Sequence, residues 1–451
     1  MDSAVIFKAY DIRGTYPDQL DERTAHAIGS AFAAFVKAPR VVLARDMRPS
    51  GVSLTQAFGD GVRATGVEVV DLGLASTDLL YFAAGYLDAP GAMFTASHNP
   101  ARYNGIKLCL AGARPIGAST GLVEIAQSAR GYYDQPVAGP LAALSSLDLS
   151  DEWVAHVRSF IDVSRLRPLK IVVDTANGMG GFIVPKVFAG LPFEVEILYE
   201  ELDGTFPNHP ADPLDPKNLV DLQRRVLEVG ADIGLAFDGD ADRVFVVDEQ
   251  ARPVSGSTTT AIIAAAMLER YPGATILYNL ICSKSVPEVI NEHGGVAVRT
   301  RVGHSYIKEV MAETGAVFGG EHSGHYYYRD NYRADSGIIT AMIVLELLSE
   351  ARTPLSALVA PFERYAASGE INTQVADPTG SVAALAALLR ERGVEIDETD
   401  GLSADFTTWW FNLRPSNTEP LLRLNVEAAN EAGCDERVRE VLAMMREVSP
   451  R

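Results

Sequence analysis

Along the chain, short apolar runs alternate with longer stretches whose apolar residues recur every three to four positions. The runs lie at 40–44, 67–72, 91–94, 170–173, 233–237, 244–247, 275–280 and 296–299 and are rich in Val, Ile, Leu and Ala. Runs of this kind, bounded by Gly, Asp, Ser or Asn, read as strands buried on both faces. Between them, 21–36, 54–65 and 219–229 carry the helical period. The alternation predicts βαβ units and mostly parallel sheets, with ligands gathering at the carboxyl ends of strands.

Small and polar residues at 134–150 predict a linker, and further breaks fall near 248–257 and 366–369. Beyond the last break, 381–392 and 435–445 read as helices, and 405–413 and 421–427 as a strand pair around a loop. The predicted class is α/β, with three doubly wound mixed-sheet domains at 1–145, 146–250 and 251–366. A smaller α+β domain at 367–451 closes the chain. The length of 451 residues suits three or four domains at about 150 residues each.

Charge narrows the function. There are 39 Lys and Arg against 59 Asp and Glu, a formal net charge of −20. Nucleic-acid binders carry a basic excess that neutralises phosphates, so a broad polyanion surface is excluded. A small anionic substrate is still allowed, because a local cationic cleft can sit inside an acidic surface. Cys109, Cys282 and Cys434 are too scattered for a disulfide framework or a zinc site. Residues 1–5 show no leader pattern, and the apolar stretches 260–268 and 337–348 are too short or interrupted to span a bilayer. The expected setting is the cytoplasm, with no membrane partner.

Four segments carry chemistry. In Thr95-Ala96-Ser97-His98-Asn99-Pro100, a Ser follows a predicted strand end, either as a turn or cap residue or as a hydroxyl that carries a phosphoryl group. In Asp238-Gly239-Asp240-Ala241-Asp242-Arg243, three carboxylates at every second position would repel unless a divalent cation joined them; oxygen donors suit magnesium or calcium. An EF-hand loop does not fit, since Arg243 stands where the turn glycine belongs and 244–247 reads as strand. In Gly320-Glu321-His322-Ser323-Gly324-His325, Glu321 and Ser323 suit vicinal hydroxyls and His325 suits acid–base work, unless the histidines merely pack. Arg414-Pro415-Ser416-Asn417-Thr418-Glu419-Pro420 has the composition of a phosphate-binding loop or of a plain hairpin turn.

With Lys8-Ala9-Tyr10-Asp11-Ile12-Arg13-Gly14 and Asn104-Gly105-Ile106-Lys107, these segments, in this order and spanning the whole chain, resemble the α-D-phosphohexomutase family. The resemblance implies four domains around a central cleft and exchange between 1-phospho and 6-phospho sugars. It implies a phosphoserine at Ser97 and Mg2+ held by Asp238, Asp240, Asp242 and the group on Ser97. Sugar contacts would come from Glu321 and Ser323, and the distal phosphate clamp from Arg414, Ser416, Asn417, Thr418 and Arg423. Tyr10, Arg13, Lys107, Arg243, His304 and His325 match cleft positions. Val302 stands before Gly303 and His304 where members often have Thr, and His322 stands where phosphoglucosamine mutases usually have Gln. The stretch 321–337 looks most like the bacterial phosphomannomutase branch, some of which also accept glucose phosphates.

The expected reaction is covalent. Phosphorylated Ser97 donates to a hexose phosphate, a hexose 1,6-bisphosphate turns over in the cleft, and the other phosphate returns to Ser97. Arg243 and the cation steady the transferring group, Arg13 lines the cleft, and His325, or Lys107 if a cationic cleft lowers its pKa, moves the proton. The partner is a small hexose phosphate, with the chain a monomer or homodimer. The alternatives are a phosphoglucosamine mutase, a phosphoglucomutase, a metal-dependent phosphatase, or a non-catalytic sugar-phosphate sensor.

Overall fold

The computed structural model describes residues 3–136, 139–415 and 421–448. The chain folds into two compact units. One comprises Met1–Ser255, Gly303–Gly319 and Ser323–Leu358, the other Gly256–Val302, Gly320–His322 and Val359–Arg451.

Two of the described sheets lie wholly within the first unit. In one, Arg40–Arg45 runs parallel to Gly91–Phe94 on one side and to Glu68–Leu74 on the other. Tyr103–Leu110 then pairs antiparallel with Gly91–Phe94, and Ile12–Thr15 antiparallel with Tyr103–Leu110. Val41, Val42, Leu43 and Ala44 are all buried, because helices cover both faces. On one face, Ile28 and Phe32 of helix Glu22–Val36 and Phe58 and Val62 of helix Gly51–Ala64 join Val41, Leu43, Phe94 and Ile106 in one core. On the other, Thr77–Tyr86 brings Tyr81 and Ala84 onto Cys109. Asp21 and Ser76 cap the starts of Glu22–Val36 and Thr77–Tyr86 by accepting from Thr24 N and Leu79 N.

The second sheet runs in the order Pro253–Val254, Val244–Asp248, Ile233–Phe237, Lys170–Asp174, Glu194–Leu198, the last three strands parallel. Ile233–Phe237 and Val244–Asp248 are antiparallel neighbours with Phe237 opposite Val244, so residues 238–243 form the turn between them. Both parallel arrays end where the sequence placed its chemistry: Phe94 leads to Ser97, and Phe237 to Asp238. The apolar helix Gly337–Ala351, capped by Ser336, is a core helix of this unit. No described helix is long and apolar enough to cross a membrane.

In the second unit, Thr275–Asn279 and Val296–Thr300 form a parallel pair beside helices Gly256–Arg270 and Ser285–Glu292. The last module is antiparallel: Trp409–Pro415 lies between Leu402–Asp405 and Leu421–Ala428. Leu422, Leu424 and Val426 alternate inward against Leu385 of helix Pro378–Glu391 and Val441 of helix Glu431–Val448.

The structure departs from the sequence pattern at several places, among them two within expected elements. Part of the expected linker, Leu144–Ser146, adds a parallel edge strand beside Glu68–Leu74. The expected strand 405–413 is two strands joined by a tight turn, with Thr407 at φ 73°. Apolar Phe406 and Trp409, stacked 4.1 Å apart, disguise that turn as a continuous run.

Candidate active site

Ser97 sits at the mouth of the first sheet. Its N–H donates to Thr95 Oγ1 at 2.9 Å, its backbone is left-handed at φ 48°, and its Oγ donates to Asp238 Oδ2 at 2.7 Å. The turn 238–243 meets it at close range, since a Cβ on Gly239 would lie 2.3 Å from the Ser97 carbonyl oxygen. Glycine is required there by contact rather than by φ.

Asp238, Asp240 and Asp242 are each fully buried, and each offers an oxygen within 4.8 Å of the others. Among the described residues, Asp240 Oδ1 and Asp242 Oδ1 have no hydrogen-bond partner. Buried carboxylate oxygens left without donors are costly, and three converging on one point fit a hard divalent cation. Two cations reach these carboxylates, Lys107 from the strand Tyr103–Leu110 and Arg243 from the end of the acidic turn itself. Lys107 Nζ lies 2.9 Å from Asp240 Oδ2 and 2.5 Å from Asp242 Oδ2. Arg243 Nε donates to Asp238 Oδ2 at 3.0 Å, while Nη2 reaches Ser97 Oγ at 3.4 Å and His98 Nδ1 at 2.6 Å. Burial, and then the charges of Arg243 and Arg13, hold His98 well below the usual imidazole range. It is therefore neutral, with Nδ1 accepting.

His325 pairs through its backbone with Arg243, which brings its ring to the carboxylate turn. Its Nδ1 lies 2.8 Å from Asp335 Oδ2 and 3.8 Å from Asp242 Oδ1. Burial works against a charge on His325, but Asp242 and the Asp335 hydrogen bond outweigh it and raise its pKa. Lys308 Nζ, 2.8 Å from Asp335 Oδ1, backs that carboxylate. Arg13 donates to Asn99 Oδ1 at 2.5 Å and pairs with Asp11. Tyr10 packs edge-on against Tyr306 and against Gly303.

In the second unit, Glu321 is buried and accepts from Asn279 Nδ2 at 3.1 Å. Arg414 and Arg423 face each other across the strand pair, and Glu370 lies between them, 3.2 Å from Arg414 Nη2 and 3.5 Å from Arg423 Nε.

Comparison with known proteins agrees in every module. Phosphoglucomutase/phosphomannomutase α/β/α domains I, II and III match residues 4–133, 151–252 and 255–365, and the C-terminal domain of the same family matches 370–447. The chain belongs to the α-D-phosphohexomutase family. It is 43% identical over 444 residues to phosphohexose mutases of Xanthomonas campestris pv. campestris, covering 98% of this chain and 99% of the relative. It is 39% identical over 456 residues to the phosphomannomutase of Salmonella typhimurium, covering 99% and 100%. A crystal structure of a phosphoglucomutase/phosphomannomutase family protein from Burkholderia thailandensis superposes with a TM-score of 0.89 at 33% identity, covering 100% and 99%. As a phosphohexomutase the chain is an isomerase, an intramolecular phosphotransferase acting on a hexose phosphate.

Within this phosphohexomutase the first unit brings together Ser97, Arg13, Lys107, Arg243, His325 and the three Asp residues. Ser323 lies half-buried on the chain leading to His325, and Glu321, Arg414 and Arg423 belong to the second unit. Ser416, Asn417, Thr418 and the His304 side chain lie outside the described residues. One expectation fails. Lys107 is not in cationic surroundings that lower its pKa: although burial opposes its charge, Asp240 and Asp242 raise it well above the ordinary lysine value. Sequence reasoning missed His98, though it stands inside the serine motif. It also missed Asp335, and Thr77, whose Oγ1 donates to Asp240 Oδ2 at 2.5 Å. Thr77 had a faint signal as the first residue after a Ser cap; Asp335 had none.

Proposed function

We propose that this phosphohexomutase is a phosphomannomutase that interconverts mannose 6-phosphate and mannose 1-phosphate, with glucose phosphates as further substrates. The observation that carries the reading is the 2.7 Å bond from Ser97 Oγ to Asp238 beside Arg243. It couples the one reactive hydroxyl to the acidic turn and to a fixed guanidinium. The relatives named phosphomannomutase support mannose, and the name phosphohexose mutases carried by the Xanthomonas relatives supports a wider hexose range.

In the forward half-reaction a free sugar hydroxyl attacks the phosphorus of phosphorylated Ser97. The new P–O bond forms as the P–Oγ bond breaks, and Oγ leaves with the electron pair. Arg243, held by Asp238, supplies N–H donors to the transferring group. His325 takes the hydroxyl proton, because Asp335 holds Nδ1 and leaves Nε2 for the substrate. Lys107, locked between two carboxylates, serves as a charge clamp. Hexose 1,6-bisphosphate is both the intermediate and the activator that loads Ser97. Asp238, Asp240, Asp242 and an oxygen of the group on Ser97 would hold Mg2+, which supplies charge neutralisation when bound. Glu321 and Ser323 would read sugar hydroxyls, with Tyr10 and His304 lining the site. Arg414, Ser416, Asn417, Thr418 and Arg423 would grip the phosphate that is not reacting. We read the domains at 1–145, 146–250, 251–366 and 367–451, and the compartment as cytoplasm.

The test is a side-by-side rate comparison on mannose, glucose and glucosamine 1-phosphates, with Ser97→Ala as control. Mannose phosphate is expected to turn over fastest, and S97A to lose at least about a thousandfold in kcat with the fold intact. A preference for glucosamine phosphate, release of free phosphate instead of isomer, or an active S97A overturns the reading.

A further inference from the structure

A buried cation that takes no part in the chemistry above lies under the Ser97 turn. Arg48 follows the strand Arg40–Arg45 and its side chain is fully enclosed. Its guanidinium donates to four main-chain carbonyls of a single segment. Nη2 reaches Ser97 O at 2.8 Å and Asn99 O at 2.6 Å, while Nη1 reaches Pro100 O at 3.0 Å and Tyr103 O at 2.9 Å. Nε faces Asp46 Oδ2 at 3.3 Å, and the Phe206 ring covers the guanidinium at 5.1 Å.

Stability alone is a weak reason for this arrangement, since a buried ion pair is seldom better than an apolar side chain of the same volume. What only an arginine supplies is a flat fork with several donors fixed in one plane. Four carbonyl oxygens converge on it, and one belongs to the reacting residue itself. Ser97 is also left-handed, a conformation that persists in a non-glycine residue when its surroundings impose it. Thr95 holds the N–H of Ser97, and Arg48 holds its C=O. Together they fix both peptides that flank the Cα carrying Oγ. Phosphoryl transfer depends above all on such alignment.

We propose that Arg48 is a positioning residue for phosphoryl transfer, its guanidinium locking the turn that aims Ser97 Oγ at Asp238 and Arg243. The proposal rests on the reading of Ser97 as the phosphoryl carrier. It extends the active centre to a residue that touches neither substrate nor cation.

The test uses the full-length enzyme and the variants Arg48→Lys, Arg48→Met and Asp46→Asn. The readouts are kcat, KM for mannose 1-phosphate, the single-turnover rate of Ser97 phosphorylation by hexose 1,6-bisphosphate followed by intact mass, and the thermal midpoint. R48K keeps the charge and loses the fork. It is expected to lose about thirtyfold or more in kcat and in phosphorylation rate, with KM changed less than about threefold. R48M is expected to lose at least as much per folded molecule. D46N removes the counter-ion and keeps the fork, and is expected to lower the midpoint while kcat stays within about threefold. An R48K with kcat within about twofold of wild type, a loss confined to KM, or a D46N loss as large as that of R48K overturns the proposal. An inactive S97A beside a normal R48K removes only the role of Arg48; an active S97A removes the phosphoserine reading itself.

Discussion

Lys107, read from sequence as a proton carrier or a charge clamp, lies beside the acidic turn with its pKa raised rather than lowered. The spacing after Ser97 marked it as a neighbour of the chemistry, but its counter-ions come from a turn more than 130 positions away, Asp240 and Asp242. Local sequence has no access to that pairing. Removing one member of a buried pair strands the other, which costs about 3–5 kcal/mol. Lys107→Met is therefore expected to lose about that much stability in EDTA, and to recover much of it in millimolar Mg2+, where the carboxylates regain a counter-charge. Urea unfolding with and without the metal checks this, and equal losses under both conditions would count against a cation at the turn. Ser97 and the three Asp residues were singled out because each stands in a short motif of its own. His98, Thr77 and Asp335 were not, because each acquires its role only from a contact that tertiary folding makes.

The eight apolar runs of the α/β modules match observed strands to within two residues at either end, while other strands of those modules gave no such run. Ile233–Phe237 and Val244–Asp248 are apolar throughout because both faces are covered, so a plain run of hydrophobic residues marks them. Tyr103–Leu110, mostly buried, and Ile12–Thr15 carry Lys107, Asn104 and Arg13 between their apolar residues, and their sequence pattern is too mixed to announce a strand. The edge strand Leu144–Ser146, exposed along its length, gives no burial signal at all. At this scale Gly239 matters because it lets two modules bring their loops into backbone contact. Gly239→Ala would press a methyl group against the Ser97 carbonyl. The expected cost is about 1–3 kcal/mol of stability and about tenfold or more in kcat from the displaced turn. Thermal unfolding and steady-state rates would show both, and an unaffected kcat would mean that the turn at Ser97 yields without consequence.

For the molecule as a whole, the net charge of −20 turned the sequence reading away from a broad nucleic-acid surface, yet several of the acids behind that figure are internal. Asp78 is one of them. Buried, and hydrogen-bonded by Ser76 and by Ser336 Oγ at 2.7 Å, its carboxyl is pushed up to about 7 chiefly by burial. Between the ordinary carboxylate range near 4 and about 7 the folded state holds a proton that the unfolded chain has released. The contribution of Asp78 to stability therefore falls as pH rises through that window. Asp78→Asn imitates the neutral acid, and the difference between its urea midpoint and that of wild type is expected to widen from pH 4 to pH 8; a constant difference would show that Asp78 is ionised throughout. The same accounting at the catalytic turn has a further consequence. Asp238, Asp240 and Asp242 outnumber their ion-pair partners Lys107 and Arg243 by one, and His325, 3.8 Å from Asp242 Oδ1, adds positive charge when protonated. A divalent cation would shift that balance by two positive charges, and a phosphoryl group on Ser97, at about −2, would shift it back. Cation and phosphoryl group are thus each other's best counterweight, and linkage makes the preference mutual. The phosphorylated enzyme is expected to hold Mg2+ more tightly than the dephosphorylated one, as titration of both forms can measure. An enzyme that loses its phosphate to water would then shed its metal as well, and a hexose bisphosphate would restore both together.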